Sequence, residues 1–181
     1  CPDSQPLDIT LVDLPGAYSL DPHSPDEALT RELLIGGPAD ERPDIAVVTC
    51  DASRLTGCLY LVAQLREQGL AMVVALTMGD VADKRGIVVD VDALTERLGV
   101  PVVAIDPRRR GGLGGLAIAV RDALGVPAPD PRPVPADADA LALEDDRFSW
   151  IADVVEAATT ATAKDARTLS DKVDRWVTAP V

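Results

Sequence analysis

Residues 44–50 read Asp-Ile-Ala-Val-Val-Thr-Cys (DIAVVTC), an almost unbroken apolar run between two polar-flanked ends. A run of strand length with no polar alternation belongs to a strand covered on both faces, as in a parallel sheet between helices. Working toward the C-terminus, residues 53–68 place Leu55, Leu59, Val62 and Leu65 close to a 3.6-residue period, which predicts a helix. Residues 70–76 (LAMVVAL) predict the next strand, residues 91–98 a short helix closed by Gly99, residues 102–105 another strand and residues 113–124 another helix. Toward the N-terminus, residues 7–12 (LDITLV) read as a strand ending at Asp13. Ser24-Pro25-Asp26-Glu27 then opens a helix: Ser24 can cap, Pro25 suits the first turn, and Glu27 stands three residues after the cap. Gly36-Gly37-Pro38 stops it. Strands separated by helices imply an α/β fold with a parallel sheet and helices on both faces. Ligands of such sheets sit at the carboxyl ends of the strands.

Composition narrows the partners. The chain has 181 residues, 47% hydrophobic but only 3% aromatic, so its core must be aliphatic. The formal net charge of −13 and a pI near 4.3 repel a phosphate backbone, and nucleic acid is not expected as a partner. A mononucleotide is still compatible, because local backbone amides and a metal hold it. Cys1, Cys50 and Cys58 form no CxxC pair and read as reduced, small buried thiols, and His23 is the single histidine. No apolar run reaches the ~18 residues of a membrane span, and no signal peptide is visible. Cys1 and the closing Pro180-Val181 both read as cut ends, so a piece of a longer protein is expected. Residues 126–142 hold Pro127, Pro129, Pro131, Pro133 and Pro135, a spacing that favours an extended linker. Residues 143–163 and 169–177 then read as two helices, a small helical appendix and not a second sheet. The expected organisation is 1–125, a partial nucleotide-binding domain; 126–142, the linker; and 143–181, the helical part.

Three motifs follow predicted strands in order. Asp13-Leu14-Pro15-Gly16 is a DxxG pattern, in which the carboxylate of Asp13 holds Mg²⁺ through water and the N–H of Gly16 meets a terminal phosphate. Thr77-Met78-Gly79-Asp80 stands where GTP-binding domains carry NxxD; Asp80 can accept two hydrogen bonds from a guanine edge, while Thr77 replaces the usual asparagine. Asp106-Pro107 stands where such domains read SAx and a backbone N–H meets guanine O6; proline has no N–H. Each motif alone is also an ordinary turn or cap, but their order after successive strands favours a GTP-binding domain. Gly111-Gly112-Leu113-Gly114-Gly115 reads as a flexible lead into the following helix, without the lysine or hydroxyl of a phosphate cradle. Arg108-Arg109-Arg110 is a basic run in an acidic chain, read as a solvated loop with a phosphate, a membrane surface or a partner domain as alternatives. Trp150 and Trp176 read as packing residues of the appendix, with a membrane interface the alternative for Trp176.

The wording around these motifs resembles the bacterial ferrous iron transport protein B family. Residues 13–20 (DLPGAYSL) followed by 24–27 (SPDE) resemble that family's DLPGTYSL…SPDE stretch. Asp51-Ala52-Ser53 and Leu59-Tyr60-Leu61 match its VDATNLERNLYL region in part, residues 98–103 (LGVPVV) look like its following strand, Arg147-Phe148 resembles a helix start, and residues 168–175 (TLSDKVDR) are similar to the signature before its first membrane helix. The resemblance implies a P-loop-NTPase-like G domain with GTP or GDP and Mg²⁺ as ligands, then a helical domain, then a permease in the same parent chain. Guanine nucleotide and that permease are the implied partners, at the cytoplasmic face of the bacterial inner membrane, with the piece itself soluble and self-association open. The implied site is Asp13, Gly16, Thr77, Asp80, Asp106 and Pro107, with Asp13 toward the metal. No GxxxxGK[ST] loop occurs in these residues, so the first strand, the phosphate loop and the switch I threonine that the family carries upstream are absent from them. Hydrolysis by the intact parent is expected to be slow, since Ala17 stands after Gly16, and the piece alone is expected to be inactive. The alternative is a degenerate, nucleotide-free regulatory or docking module.

Overall fold

The computed structural model describes residues 9–22, 24–38, 42–126, 131 and 139–161. Helix α1 spans Pro25–Arg31 and runs on as a wider π turn over Glu32–Gly36; the N–H of Glu27 donates to Ser24 Oγ at 3.2 Å, as the capping sequence demands. Strand β1 (Ala46–Asp51), helix α2 (Leu55–Glu67), strand β2 (Met72–Thr77), helix α3 (Gly79–Lys84), strand β3 (Ile87–Val89), helix α4 (Val91–Leu98), strand β4 (Val102–Ala104), helix α5 (Leu113–Ala123), helix α6 (Ala140–Ala158) and strand β5 (Thr159–Ala161) follow. Strands β1, β2 and β4 form a parallel sheet in that order, with Val48 opposite Val74 and Val74 opposite Val102.

The register divides the sheet into two faces. Val48, Cys50, Met72, Val74, Leu76 and Val102 share one core with Leu59 and Val62 of α2, Leu94 and Leu98 of α4, and Ile151, Val154 and Ala158 of α6. Val73 and Ala75 lie on the other face, buried where α5 crosses β2 and β4. A Cβ on Gly115 of α5 would stand 3.6 Å from Val103 Cγ1, ordinary contact that lets the helix lie close. Covering both sides of β2 is why that strand is an apolar run, each fully buried Val or Leu contributing about 1.5–3 kcal/mol. Helix α4 is fixed by local chemistry: the carboxylate of Asp90 accepts from the N–H groups of Asp92 and Ala93 at 3.0 Å each, and Gly99 at φ 65° closes the other end.

Two expectations change. Residues 9–12 are not a strand: Leu11 is 86% and Val12 64% exposed, and no strand of the described residues pairs with them or with the outer side of β1. An apolar run becomes a strand only beside a partner that takes its N–H and C=O groups. The appendix also contributes a strand, contrary to its purely helical reading. The helix begins at Ala140 and stops at Ala158; Thr159–Ala161 then pairs antiparallel with Ile87–Val89, and Asp90 N donates to Ala158 O at 2.8 Å. The β-branched Thr159 and Thr160 suit that extended pairing. Helix α3 and strands β3 and β5 are too short for a periodicity reading. Trp150 is half-buried against the core, with the Arg66 guanidinium 5.9 Å from its ring centroid. Trp176, the predicted helix at 169–177 and most of the proline-rich stretch lie outside the described residues.

Candidate nucleotide site at the strand ends

The carboxyl ends of β1, β2 and β4 are stitched to one another. Thr77 Oγ1 donates to Cys50 O at 3.1 Å, Ala52 N donates to Thr77 O at 2.9 Å, and Ile105 N donates to Leu76 O at 2.8 Å. Thr77 therefore ties the end of β2 to the end of β1 through both its hydroxyl and its carbonyl. After Thr77 the chain turns through Met78 at φ 58°, an uncommon conformation for a side chain of that size, and enters α3 with Asp80 in its first turn. Asp80 is exposed, with its Oδ2 3.5 Å from Lys84 Nζ and 4.0 Å from Arg108 Nη1. The loop after β1 is shaped by Asp51, whose Oδ1 accepts from Ser53 N at 2.8 Å, and by Arg85, whose Nη1 donates to Ser53 O at 3.5 Å.

The loop after β4 closes on itself. Asp106 and Gly111 exchange backbone hydrogen bonds at 2.9 and 3.0 Å, and Asp106 Oδ1 accepts from the N–H groups of Arg108 and Arg109 at 3.1 and 3.3 Å. Arg110 N donates to Pro107 O at 3.4 Å. Gly112, at φ 79°, begins α5, and a Cβ there would collide with the Ala104 carbonyl oxygen. The glycine run is thus the lead into a helix that its sequence suggests, with Gly112 the position that needs glycine.

Asp13 and Gly16 lie in a different segment. Both are exposed, Leu14 packs against the core, Pro15 O accepts from the buried Thr30 Oγ1 at 2.9 Å, and Leu20 N donates to Gln64 Oε1 at 2.6 Å. Gln64 Nε2 also donates to Asp21 Oδ2 at 2.8 Å, so one buried amide on α2 holds the end of the DLPGAYSL stretch. Among the described residues no hydrogen bond or ion pair joins Asp13 or Gly16 to Thr77, Asp80, Asp106 or Pro107. The structure brings the last four together in two adjoining loops and leaves the first two on the α1–α2 side. Gln64 escaped the sequence reading, although a lone amide inside the apolar stripe of α2 was the available signal. Arg108 belongs to the basic run that the sequence suggests is a solvated loop, with a phosphate, a membrane surface or a partner domain as alternatives.

Beneath the β1 loop lies a thiol pair. Cys58 Sγ accepts from Asp51 N at 3.2 Å. The hydrogen bond from Cys50, followed by that of Asp51 N, lowers the Cys58 pKa to about 6 against the opposing effect of burial. Cys50 moves the other way, raised by its hydrogen bond to Cys58 and by desolvation. No group of three or more metal-ligating side chains occurs among the described residues.

Residues 3–120 match the family model of ferrous iron transport protein B. The chain belongs to the ferrous iron transport protein B family. The Fe(2+) transporter FeoB of Salmonella typhimurium is 42% identical over 116 residues, 62% of this chain but 14% of the transporter. This chain therefore spans a small part of such family members. Among solved structures, the cytosolic domain of L. pneumophila FeoB superposes with a TM-score of 0.70 at 25% identity, covering 82% of this chain and 77% of that one. The FeoB G-domain from Methanococcus jannaschii gives 0.58 at 41% identity, over 62% and 70%. A GDP-bound mutant of the S. thermophilus FeoB G-domain gives 0.63 at 25% identity, over 82% and 80%. The parallel sheet of β1, β2 and β4 with its helices thus shares the fold of FeoB G domains. No helix among the described residues is long and apolar enough to cross a membrane.

Proposed function

We propose that this chain is part of the guanine-nucleotide-binding region of a ferrous iron transporter and carries the base-recognition side of that site. The observation that supports this most directly is the stitching of the β1, β2 and β4 ends, which sets exposed Asp80 beside the loop at Asp106 and Pro107. Asp80, with no structural duty beyond exposed ion pairs, has lone pairs to accept from a purine N1–H and 2-amino group. Thr77 holds the loops at fixed spacing. Asp13 and Gly16 would serve Mg²⁺ and the terminal phosphate; when bound, the metal would neutralise phosphate charge. The GDP-bound S. thermophilus relative supports guanine as the base.

In the parent protein the nucleotide state would alter the stretch from Asp13 to Leu20, and the contact of Gln64 with Leu20 and Asp21 would carry that change into α2, which packs on α6. Residues 143–181 would lead toward a membrane permease at the cytoplasmic face. Titration of the intact parent with fluorescent GDP should show micromolar binding that Asp80→Ala abolishes. The 181 residues alone should bind weakly, since no phosphate loop lies within them; tight binding in calorimetry would refute that. A second reading, a nucleotide-free docking module, draws on the self-satisfied loop after β4 and gains if the intact parent binds no nucleotide.

A further inference from the structure

Resting on that reading of the base site, the loop after β4 poses an accounting question. Guanine presents O6 beside N1, and a donor next to the Asp80 carboxylate is needed to read it. The backbone from Ile105 to Gly111 cannot supply it. Ile105 N is spent on Leu76 O, Asp106 N on Gly111 O, and Arg108 N and Arg109 N on the Asp106 carboxylate; Arg110 N goes to Pro107 O, Gly111 N to Asp106 O, and Pro107 has none. Freeing Ile105 N would part the β4 end from β2, and freeing the others would open the turn that runs from Asp106 to Gly111.

The same loop does offer a side chain. Arg108 leaves it 75% exposed and brings Nη1 to 4.0 Å from Asp80 Oδ2. An exposed pair of this kind contributes little to stability, so the guanidinium is not committed by it. Its planar fork of five N–H groups can face a carboxylate and a neighbouring carbonyl oxygen together. We propose that Arg108 is a specificity-determining residue: its guanidinium donates to guanine O6 and takes over the role of a backbone amide. Lys84 also approaches Asp80 Oδ2, at 3.5 Å, but from one turn further along α3 and not from the β4 loop. It serves as the internal control.

The test uses the intact parent transporter in detergent, with a ribose-labelled fluorescent GDP displaced by GDP or by 6-thio-GDP. The latter keeps N1–H and the 2-amino group and replaces O6 by a poor acceptor. The wild type should prefer GDP by about tenfold or more, the size expected for a hydrogen bond from a charged donor. Arg108→Ala should weaken GDP by a similar factor, leave 6-thio-GDP nearly unchanged and so erase the preference, whereas Lys84→Ala should retain it. An Arg108→Ala protein that keeps the preference, or weakens both ligands equally, overturns the assignment while leaving the base-site reading in place. A wild-type protein that binds neither ligand overturns the base-site reading as well as this inference.

Discussion

Replacing Glu67 by glutamine removes the charge from the best-shielded ion pair described in the molecule and leaves its shape. Arg147 of α6 donates from Nε to both carboxylate oxygens of Glu67 on α2, at 3.0 and 3.1 Å, and from Nη2 to Oε2 at 2.8 Å. Nη1 donates to Tyr60 Oη at 3.3 Å, and the guanidinium carbon lies 5.7 Å from that ring's centroid. The side chains are 15% and 6% exposed, and the bonds to Glu67 first, then Tyr60, raise the Arg147 pKa against desolvation. Stripping one partner from a buried pair costs about 3–5 kcal/mol, because the other charge stays buried without compensation. The Tyr60 contacts remain in Glu67→Gln, so the lower end applies. For a domain of this size that is a fall in Tm of roughly 6–12 °C, at about 2–4 °C per kcal/mol. Thermal and urea unfolding of the wild type, Glu67→Gln, Glu67→Leu, Arg147→Met and the double variant Glu67→Leu/Arg147→Met measure it. The double variant should lie well above the sum of the single losses, since two apolar groups leave no orphaned charge. Single losses under about 1 kcal/mol, the range of a surface pair, would refute the claim that this bridge fastens α6 to α2.

Cys58 should react with iodoacetamide with a pH midpoint near 6, while Cys50 stays unreactive until unfolding; a midpoint near 9.0 would refute the thiol pair. Because the Cys58 pKa is lowered on folding, its stabilising contribution is complete above the unfolded value of 9.0 and is lost as pH falls through about 6, readable as declining urea stability over that window. Gly112→Ala places a Cβ against the Ala104 carbonyl at a positive φ and should cost about 1–3 kcal/mol in urea unfolding. Gln64→Leu strips the acceptor from Leu20 N and the donor to Asp21, and should speed amide exchange across residues 14–21 ahead of the rest of the chain; uniform protection would show that the stretch is held by other contacts.

Arg147, Phe148 and Ile151 illustrate how far the sequence carries. The resemblance marks Arg147-Phe148 as a helix start, but α6 begins at Ala140 and both residues lie inside it; there Phe148 meets Tyr60 in a tilted pair with centroids 5.3 Å apart and Ile151 is fully buried. Nothing in the sequence pairs Arg147 with Glu67, 80 positions away. The same holds for the site. That Asp80 ends a strand–loop motif is a local fact, while its approach to Arg108 is a product of β2 lying beside β4.

What the amino-acid order determined alone were the features with short-range causes: the apolar runs of β1, β2 and β4, the capped ends of α1 and α4, the periodic face of α2 and the glycine that opens α5. Tertiary structure decided everything that required a neighbour. Residues 9–12 carry strand chemistry yet pair with nothing described, whereas Thr159–Ala161, three residues at the end of a long helix, gains a partner in Ile87–Val89. The difference is physical: caps and periodicities are satisfied within a few residues, but a strand edge, a buried charge and an exposed carboxylate beside a guanidinium acquire their surroundings only from the groups the fold sets beside them.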